Sequence, residues 1–200
     1  MQTLIDALKG GSPVLIATDT VFGVAALPAS AGAATIFELK QRPADSALPW
    51  LVGSRDALDE YGSEVPGYAR CLAELFWPGA LTLVVKASPE AVALGGIAED
   101  GTVALRMPDD AACLSLIEAV GCPLACTSAN IHGEPAPLRL DDVASALRSL
   151  PASADMPREC PGAIASTIVD CTGQLPSILR EGAISSQTVL AAALLDDRLH

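Results

Sequence analysis

Ala33-Ala34-Thr35-Ile36-Phe37-Glu38-Leu39-Lys40-Gln41-Arg42-Pro43 is the stretch from which the rest of the chain can be read. Its first seven residues read as helix, with Ala33, Ile36 and Leu39 on one face. Pro43 forbids continuation and pushes Arg42 out of helical geometry. Lys40 and Arg42 therefore leave the helix on a stiffened exit. Taken alone, the pair reads as two solvated cations complementing the helix C-terminal dipole. Charge elsewhere changes that balance. Lysine occurs only at positions 9, 40 and 86, and together with nine arginines it faces 24 acidic residues. Where so few cations sit carries information.

Two hundred residues, half of them hydrophobic, fit one domain over 1–200 with a sizeable core and exclude a disordered chain. The longest apolar runs, such as Ala80-Leu81-Thr82-Leu83-Val84-Val85, are strand-length and too short to span a membrane. The chain opens on an amphipathic helix with no signal-peptide pattern, so a cytoplasmic location is expected. A net charge of −12 argues against a surface that grips polyanions broadly, while leaving room for a local basic pocket. Six cysteines stand in apolar contexts, and the four-residue step from Cys122 to Cys126 is not a zinc spacing. With only His132 and His200 beside them, no Cys/His metal site is expected; buried, reduced thiols are.

Along the chain, helices and strands alternate. Gly10-Gly11 stop the first helix, and 13–17 is a short buried strand. Thr18-Asp19-Thr20 follow. They form either a capped turn or hydroxyls at the carboxyl edge of a sheet, where open α/β proteins keep their ligands. Residues 48–52 are the next strand, and Ser54 is expected to cap a helix through Glu60. Residues 66–75 read as helix, and Phe76-Trp77-Pro78-Gly79 as a tight turn over which Trp77 packs, in preference to serving as a base-stacking platform. The turn delivers a strand over 80–85, apolar enough for burial on both faces. The strand over 102–107 carries Arg106, whose guanidinium must find an anion or a carbonyl there. Asp109 is expected to cap a helix to Val120 that buries Leu114, Ile117 and Val120.

Strand 123–126 leads into Thr127-Ser128-Ala129-Asn130-Ile131-His132-Gly133, a loop of neutral donors suited to phosphate or carboxylate. His132 reads as a loop residue, not a base. Pro135-Ala136-Pro137 is a rigid spacer before a helix over 141–150. The segment 151–162 is expected to be mobile, 165–170 and 176–180 to pair as a hairpin, and 186–196 to form the last helix. Four cations (Lys40, Arg42, Arg106, Arg180) thus end helices or strands, and hydroxyl-rich turns end others. If these ends meet in one hollow, they make a pocket for a polyanionic small molecule. Neither a Walker A segment nor Gly-x-Gly-x-x-Gly is present, so the phosphate site would be of neither loop type.

With these residues in view, the chain resembles the Sua5/YrdC/YciO family, and within it the threonylcarbamoyl-AMP synthases of the short TsaC/YrdC type. The likeness rests on segments that occur in the family's order: Thr18-Asp19-Thr20-Val21-Phe22-Gly23-Val24, Leu39-Lys40-Gln41-Arg42-Pro43, Trp77-Pro78-Gly79-Ala80-Leu81-Thr82, Val103-Ala104-Leu105-Arg106-Met107-Pro108, Thr127-Ser128-Ala129-Asn130, and Ser166-Thr167-Ile168-Val169-Asp170 with Arg180-Glu181-Gly182. The combination of Lys-x-Arg with Ser-x-Asn points to the synthase branch over the YciO branch. The departures are Ala17 for the usual Pro, Phe22 for Tyr, Ala47 where Pro often precedes Leu48, and Leu51 where longer members carry His.

The resemblance implies an α/β fold, an open twisted mixed sheet with a large concave cavity. It implies a nucleotidyltransferase that makes L-threonylcarbamoyl-adenylate and pyrophosphate from L-threonine, bicarbonate and ATP. That product serves the N6-threonylcarbamoylation of adenosine 37 in tRNA. Lys40, Arg42, Ser128 and Asn130 then fall at the reaction centre, and these four with Ser46, Thr102, Ala136 and Arg180 at ATP-contacting positions. Thr20, Arg106, Cys126 (through its backbone) and Ser166 fall at threonine-contacting positions. Mg²⁺ is expected with the triphosphate and not on protein side chains. A TsaD-type transferase complex is the implied recipient, with tRNA bound weakly or indirectly and no membrane involved. Two other readings stay open: an RNA-binding maturation factor of the same fold, which the acidic charge disfavours, and a carbamoyl-transfer relative.

Overall fold

In the computed structural model, residues 1–41, 47–153, 156–162 and 164–195 are described. The strands are β1 (Val14–Ile16), β2 (Gly23–Ala26), β3 (Trp50–Leu51), β4 (Gly62–Ser63), β5 (Leu81–Ala87), β6 (Thr102–Arg106), β7 (Leu124–Ser128), β8 (Thr167–Asp170) and β9 (Ser177–Arg180). Among the described residues they form one open sheet in the order β1-β2-β7-β3-β6-β5-β8-β9, with β4 paired to β5. The sheet is mixed: β3 runs parallel to β6 and β5 to β8, and the other pairs are antiparallel.

The period of two in a strand sends alternate side chains to opposite faces. Val14, Ile16, Ala25, Leu51, Leu124 and Cys126 go to one face. There they meet Leu4 and Leu8 of α1 (Gln2–Lys9) and Cys113, Leu116 and Ile117 of α6 (Ala111–Val120). Leu15, Val24, Ala26, Trp50, Leu81, Leu83, Val85, Val103, Leu105 and Val169 go to the other. That face is covered by α2 (Ala31–Lys40), α3 (Ala57–Tyr61), α4 (Gly67–Phe76), α5 (Pro89–Leu94) and α8 (Ser186–Ala193). The first face is therefore covered by helix only in part. On β5, β6 and β8 its residues Val84, Thr102, Ala104, Ile168 and Asp170 stay only partly buried, while their neighbours on the opposite face are buried. This half-open patch of sheet carries Arg106 and Arg180.

Several elements differ from the sequence expectation. The strand expected over 48–52 is reduced to Trp50–Leu51. Ser54 caps nothing, because a bend intervenes and the helix starts only at Ala57, with Asp56 at its N-cap position. The cap of α6 is Asp110, not Asp109; its carboxylate accepts from the Cys113 N–H at 2.8 Å. The buried face of that helix is Cys113, Leu116 and Ile117, leaving Leu114 and Val120 half-buried. The expected helix over 141–150 is split. Val143 is extended and only 1% exposed, and burying it separates a single turn, Leu140–Asp142, from the short α7 (Ser145–Arg148). The strand expected over 123–126 instead runs on through Thr127 and Ser128. The last helix stops at Ala193. The hairpin of β8 and β9 forms as expected, with an irregularity at Ile168/Val169.

Candidate active site

Lys40 closes α2, where Gln41 turns left-handed (φ 53°). Its side chain is not solvated: the residue is 2% exposed. The ammonium donates to the Ser128 carbonyl, to the Asn130 carbonyl at 2.6 Å and to Asn130 Oδ1 at 3.0 Å. Three acceptors thus meet the three N–H donors of a lysine. Ser128 Oγ donates to the same Oδ1 at 2.5 Å, and Asn130 Nδ2 donates to the Glu134 carbonyl. The backbone repeats the link, with the His132 N–H on the Lys40 carbonyl at 2.9 Å. Helix end and loop are one knot, so the solvated-cation reading of Lys40 does not hold.

Arg106 ends β6 and is 7% exposed. Its Nε donates to the Gly79 carbonyl at 3.0 Å, one terminal nitrogen to Thr20 Oγ1 at 2.9 Å and the other to Asp19 Oδ1 at 2.6 Å. The pair with Asp19 is shielded, the two side chains being 8% and 11% exposed. The turn that brings Thr20 there is tied by Thr18, whose Oγ1 donates to the Val21 carbonyl at 2.7 Å and accepts from the Thr20 and Val21 N–H groups. Gly162 lies directly on this turn: a Cβ there would fall 2.4 Å from the Asp19 carbonyl oxygen and 2.6 Å from Thr20 Cα.

Arg180 ends β9. It donates through Nε and a terminal nitrogen to the Ser166 carbonyl, at 3.2 and 2.7 Å. Ser166 Oγ stands 2.8 Å from Thr82 Oγ1 and 3.3 Å from the Arg180 guanidinium. Burial, and then repulsion from Arg106, weakens the hold of Arg180 on its proton. The two guanidinium groups therefore share one neighbourhood. Cys126 lies within the fields of both Arg106 and Lys40; burial nevertheless pushes its thiol up to about 12.

Strand direction sorts these groups. Because β7 runs antiparallel to β3, and β3 parallel to β6, Ser128 at the end of β7 and Thr102 at the start of β6 lie toward the same end of the sheet. Arg106, Gly79, Ser166 and Arg180 lie toward the other, since β5 and β8 start there and β9 finishes there. A strand advances about 3.3 Å per residue, which puts Thr102 and Arg106 about 13 Å apart on one face. The Thr102 hydroxyl is held by Asp100 at 2.7 Å. Ala136 is half-buried beside Pro137, whose carbonyl accepts from the Phe22 N–H at 3.0 Å.

The expected groups therefore assemble as two neighbouring clusters, Lys40–Ser128–Asn130 and Thr20–Arg106–Ser166–Arg180, with Cys126 near both. Arg42 and Ser46 lie outside the described residues. Sequence reasoning missed Asp19, the Gly79 carbonyl, Thr82 and Gly162. Thr82 could have been found from strand parity, and Asp19 from its place between two hydroxyls beside a candidate anion site. Three pockets, of about 730, 460 and 270 Å³, lie elsewhere: between α3 and α6, between α2 and 96–99, and under α1 and α6. None of the three is lined by Lys40, Arg106, Ser166 or Arg180. Of the six cysteines, four are buried and two half-buried. Among the described residues no helix is long and apolar enough to cross a membrane.

Known proteins resemble this chain in sequence and in fold. A threonylcarbamoyl-AMP synthase of Bacillus subtilis is 34% identical over 185 residues, covering 92% of this chain and 54% of that protein. A protein of Mycobacterium tuberculosis is 37% identical over 186 residues, covering 92% of this chain and 85% of its own length. The structure of Pyrococcus abyssi Sua5 complexed with L-threonine superposes with a TM-score of 0.82 at 34% identity, covering 94% of this chain and 55% of that one. The chain thus spans about half the length of the Bacillus and Pyrococcus proteins. Residues 6–182 match the family model Sua5_yciO_yrdC, described as "Telomere recombination". With that match over most of its length, the chain belongs to the Sua5/YciO/YrdC family.

Proposed function

We propose that this protein is an L-threonylcarbamoyladenylate synthase, a nucleotidyltransferase acting on L-threonine, bicarbonate and ATP. The observation that carries the reading is the recessed Arg106, fixed by Asp19, Thr20 and Gly79 and standing beside a second guanidinium, Arg180. The names of the Bacillus relative and the threonine complex of the Pyrococcus protein support it.

The chemistry asks for such a cluster. The threonine amine and bicarbonate condense to a carbamate with loss of water. A carbamate oxygen then attacks the α-phosphorus of ATP, and pyrophosphate leaves. Anion must approach anion, so fixed positive charge is the main catalytic requirement. In this scheme Arg106 holds the amino-acid carboxylate, with Thr20, Ser166 and the Cys126 backbone around it. Arg180 faces the phosphates. Lys40 fixes Ser128 and Asn130 and adds its charge, and Arg42, Ser46, Thr102 and Ala136 complete the nucleotide contacts. Mg²⁺ would enter on the triphosphate, neutralising phosphate charge through phosphate oxygens and water; hard oxygen ligands of that kind suit the ion. The adenylate would pass to a TsaD-type complex in a cytoplasmic tRNA-modifying sequence.

The test is pyrophosphate release from ATP with threonine and bicarbonate supplied singly and together. Release is expected only with both, and Lys40→Ala should lower it by roughly 2–4 kcal/mol of transition-state stabilisation. Turnover with carbamoyl phosphate replacing both substrates would assign the chain to carbamoyl transfer. Salt-sensitive tRNA binding without turnover would make it a binding factor.

A further inference from the structure

Arg106 and Arg180 lie toward the same end of the sheet and on the same face, yet only one has an acidic partner among the described residues. Asp19 pairs with Arg106, whereas Arg180 rests on the Ser166 carbonyl and hydroxyl and has no carboxylate among the described residues. The surface is therefore divided into an end that is neutral overall, Arg106 with Asp19, and an end that stays cationic.

Each member of the Arg106–Asp19 pair also keeps unused capacity. A guanidinium has five N–H donors. Gly79, Thr20 and Asp19 occupy three of them, one on each nitrogen, leaving one N–H on each terminal nitrogen. Asp19 uses Oδ1 on Arg106, while Oδ2 makes no hydrogen bond among the described residues. Two free donors and one free anionic acceptor, side by side in a recess, complement a zwitterion whose carboxylate and ammonium are joined through one carbon. That is an α-amino acid. A phosphate meets the same Oδ2 as a like charge, and in a shielded site like-charge contact is strongly unfavourable.

We propose that Asp19 binds the α-ammonium of the amino-acid substrate and, by cancelling the charge of Arg106, confines phosphate to the Arg180 side. The proposal rests on the amino-acid reading of this site and assigns a residue to it. Asp19 is a binding and specificity-determining residue, and two substrates with opposite charge requirements are kept in register by one carboxylate. The turn that presents it is held from above by the close approach of Gly162.

The experiment is calorimetric titration of the full chain with L-threonine, with (R)-3-hydroxybutanoate, which lacks only the amino group, and with inorganic pyrophosphate. Wild type should bind threonine far more tightly than the des-amino analogue. Asp19→Asn should weaken threonine roughly 10- to 100-fold, the loss of one charge-assisted hydrogen bond, and leave the analogue unchanged or tighter. Pyrophosphate should bind this variant more tightly and compete with threonine, and Asp19→Glu should restore discrimination. An Asp19→Asn protein that keeps the wild-type ratio of threonine to analogue affinity overturns the proposal, as does a loss that falls equally on both ligands. The wild-type protein decides even if the variant does not fold, since equal affinity for threonine and the analogue also overturns it. Wild type that binds neither ligand sinks the synthase reading itself, a failure distinct from that of Asp19 alone.

Discussion

The two tryptophans are both fully buried, yet their ring N–H groups fare differently. Trp77 Nε1 donates to the Leu81 carbonyl at 2.8 Å, tying the turn at Pro78-Gly79 to the strand it feeds, whereas Trp50 Nε1 has no partner among the described residues. Trp77→Phe should therefore cost about 1 kcal/mol more than Trp50→Phe in urea unfolding, the net worth of one buried hydrogen bond. The packed, hydrogen-bonded Trp77 also agrees with its sequence reading as a structural residue. Cys126 offers a test by pH. Its thiol titrates near 9 when free but is raised to about 12 by burial. Above pH 9 the unfolded chain loses this proton while the folded one keeps it, so stability should fall as pH rises from about 9 toward 12. Cys171 is raised to about 12 in the same way. The urea midpoint should drop between about pH 8.5 and 10.5, and Cys126→Ala should flatten the slope; an unchanged slope would remove this assignment.

Among the elements, α2 was legible from its sequence at its C-terminal end, where Lys40 closes it, while the structure alone shows its cap, Ser30, whose Oγ accepts from the Ala33 N–H at 3.2 Å. Ser30→Ala should cost about 1 kcal/mol, read as a shift in thermal unfolding, without changing the Lys40–Asn130 knot. The segment 151–162 is a different case, since chain composition alone suggested mobility. Parts of it contact the body of the fold: the Leu15 N–H donates to the Pro151 carbonyl at 2.9 Å, Cys160 N–H to the Leu138 carbonyl at 2.8 Å, and Gly162 sits on the Thr18–Thr20 turn. Gly162→Ala should lift the strap off that turn. We expect weaker threonine binding and a stability loss of about 1–3 kcal/mol, measured by titration and urea unfolding of the same sample. Wild-type affinity in that variant would show that the close approach is unimportant to the site.

At the scale of the whole molecule, an acidic chain of net charge −12 keeps two of its few cations, Lys40 and Arg106, buried. Bare tRNA should bind weakly, because phosphate neutralisation dominates such affinity; fluorescence anisotropy at physiological salt should show no saturation at low micromolar protein. Apolar runs alternating with helix signals read as strands and helices in turn, and the family resemblance implied the α/β class. The few cations at element ends determined which side chains to watch, since a guanidinium after a buried strand has to be satisfied by something. Strand order, and with it the meeting of Arg106 with Asp19 across 87 positions of sequence and of Lys40 with Asn130 across 90, came only from the tertiary structure. Local sequence prescribes dihedral angles and faces, but long-range pairing is chosen by the burial of both sheet faces together, and no single segment carries that sum.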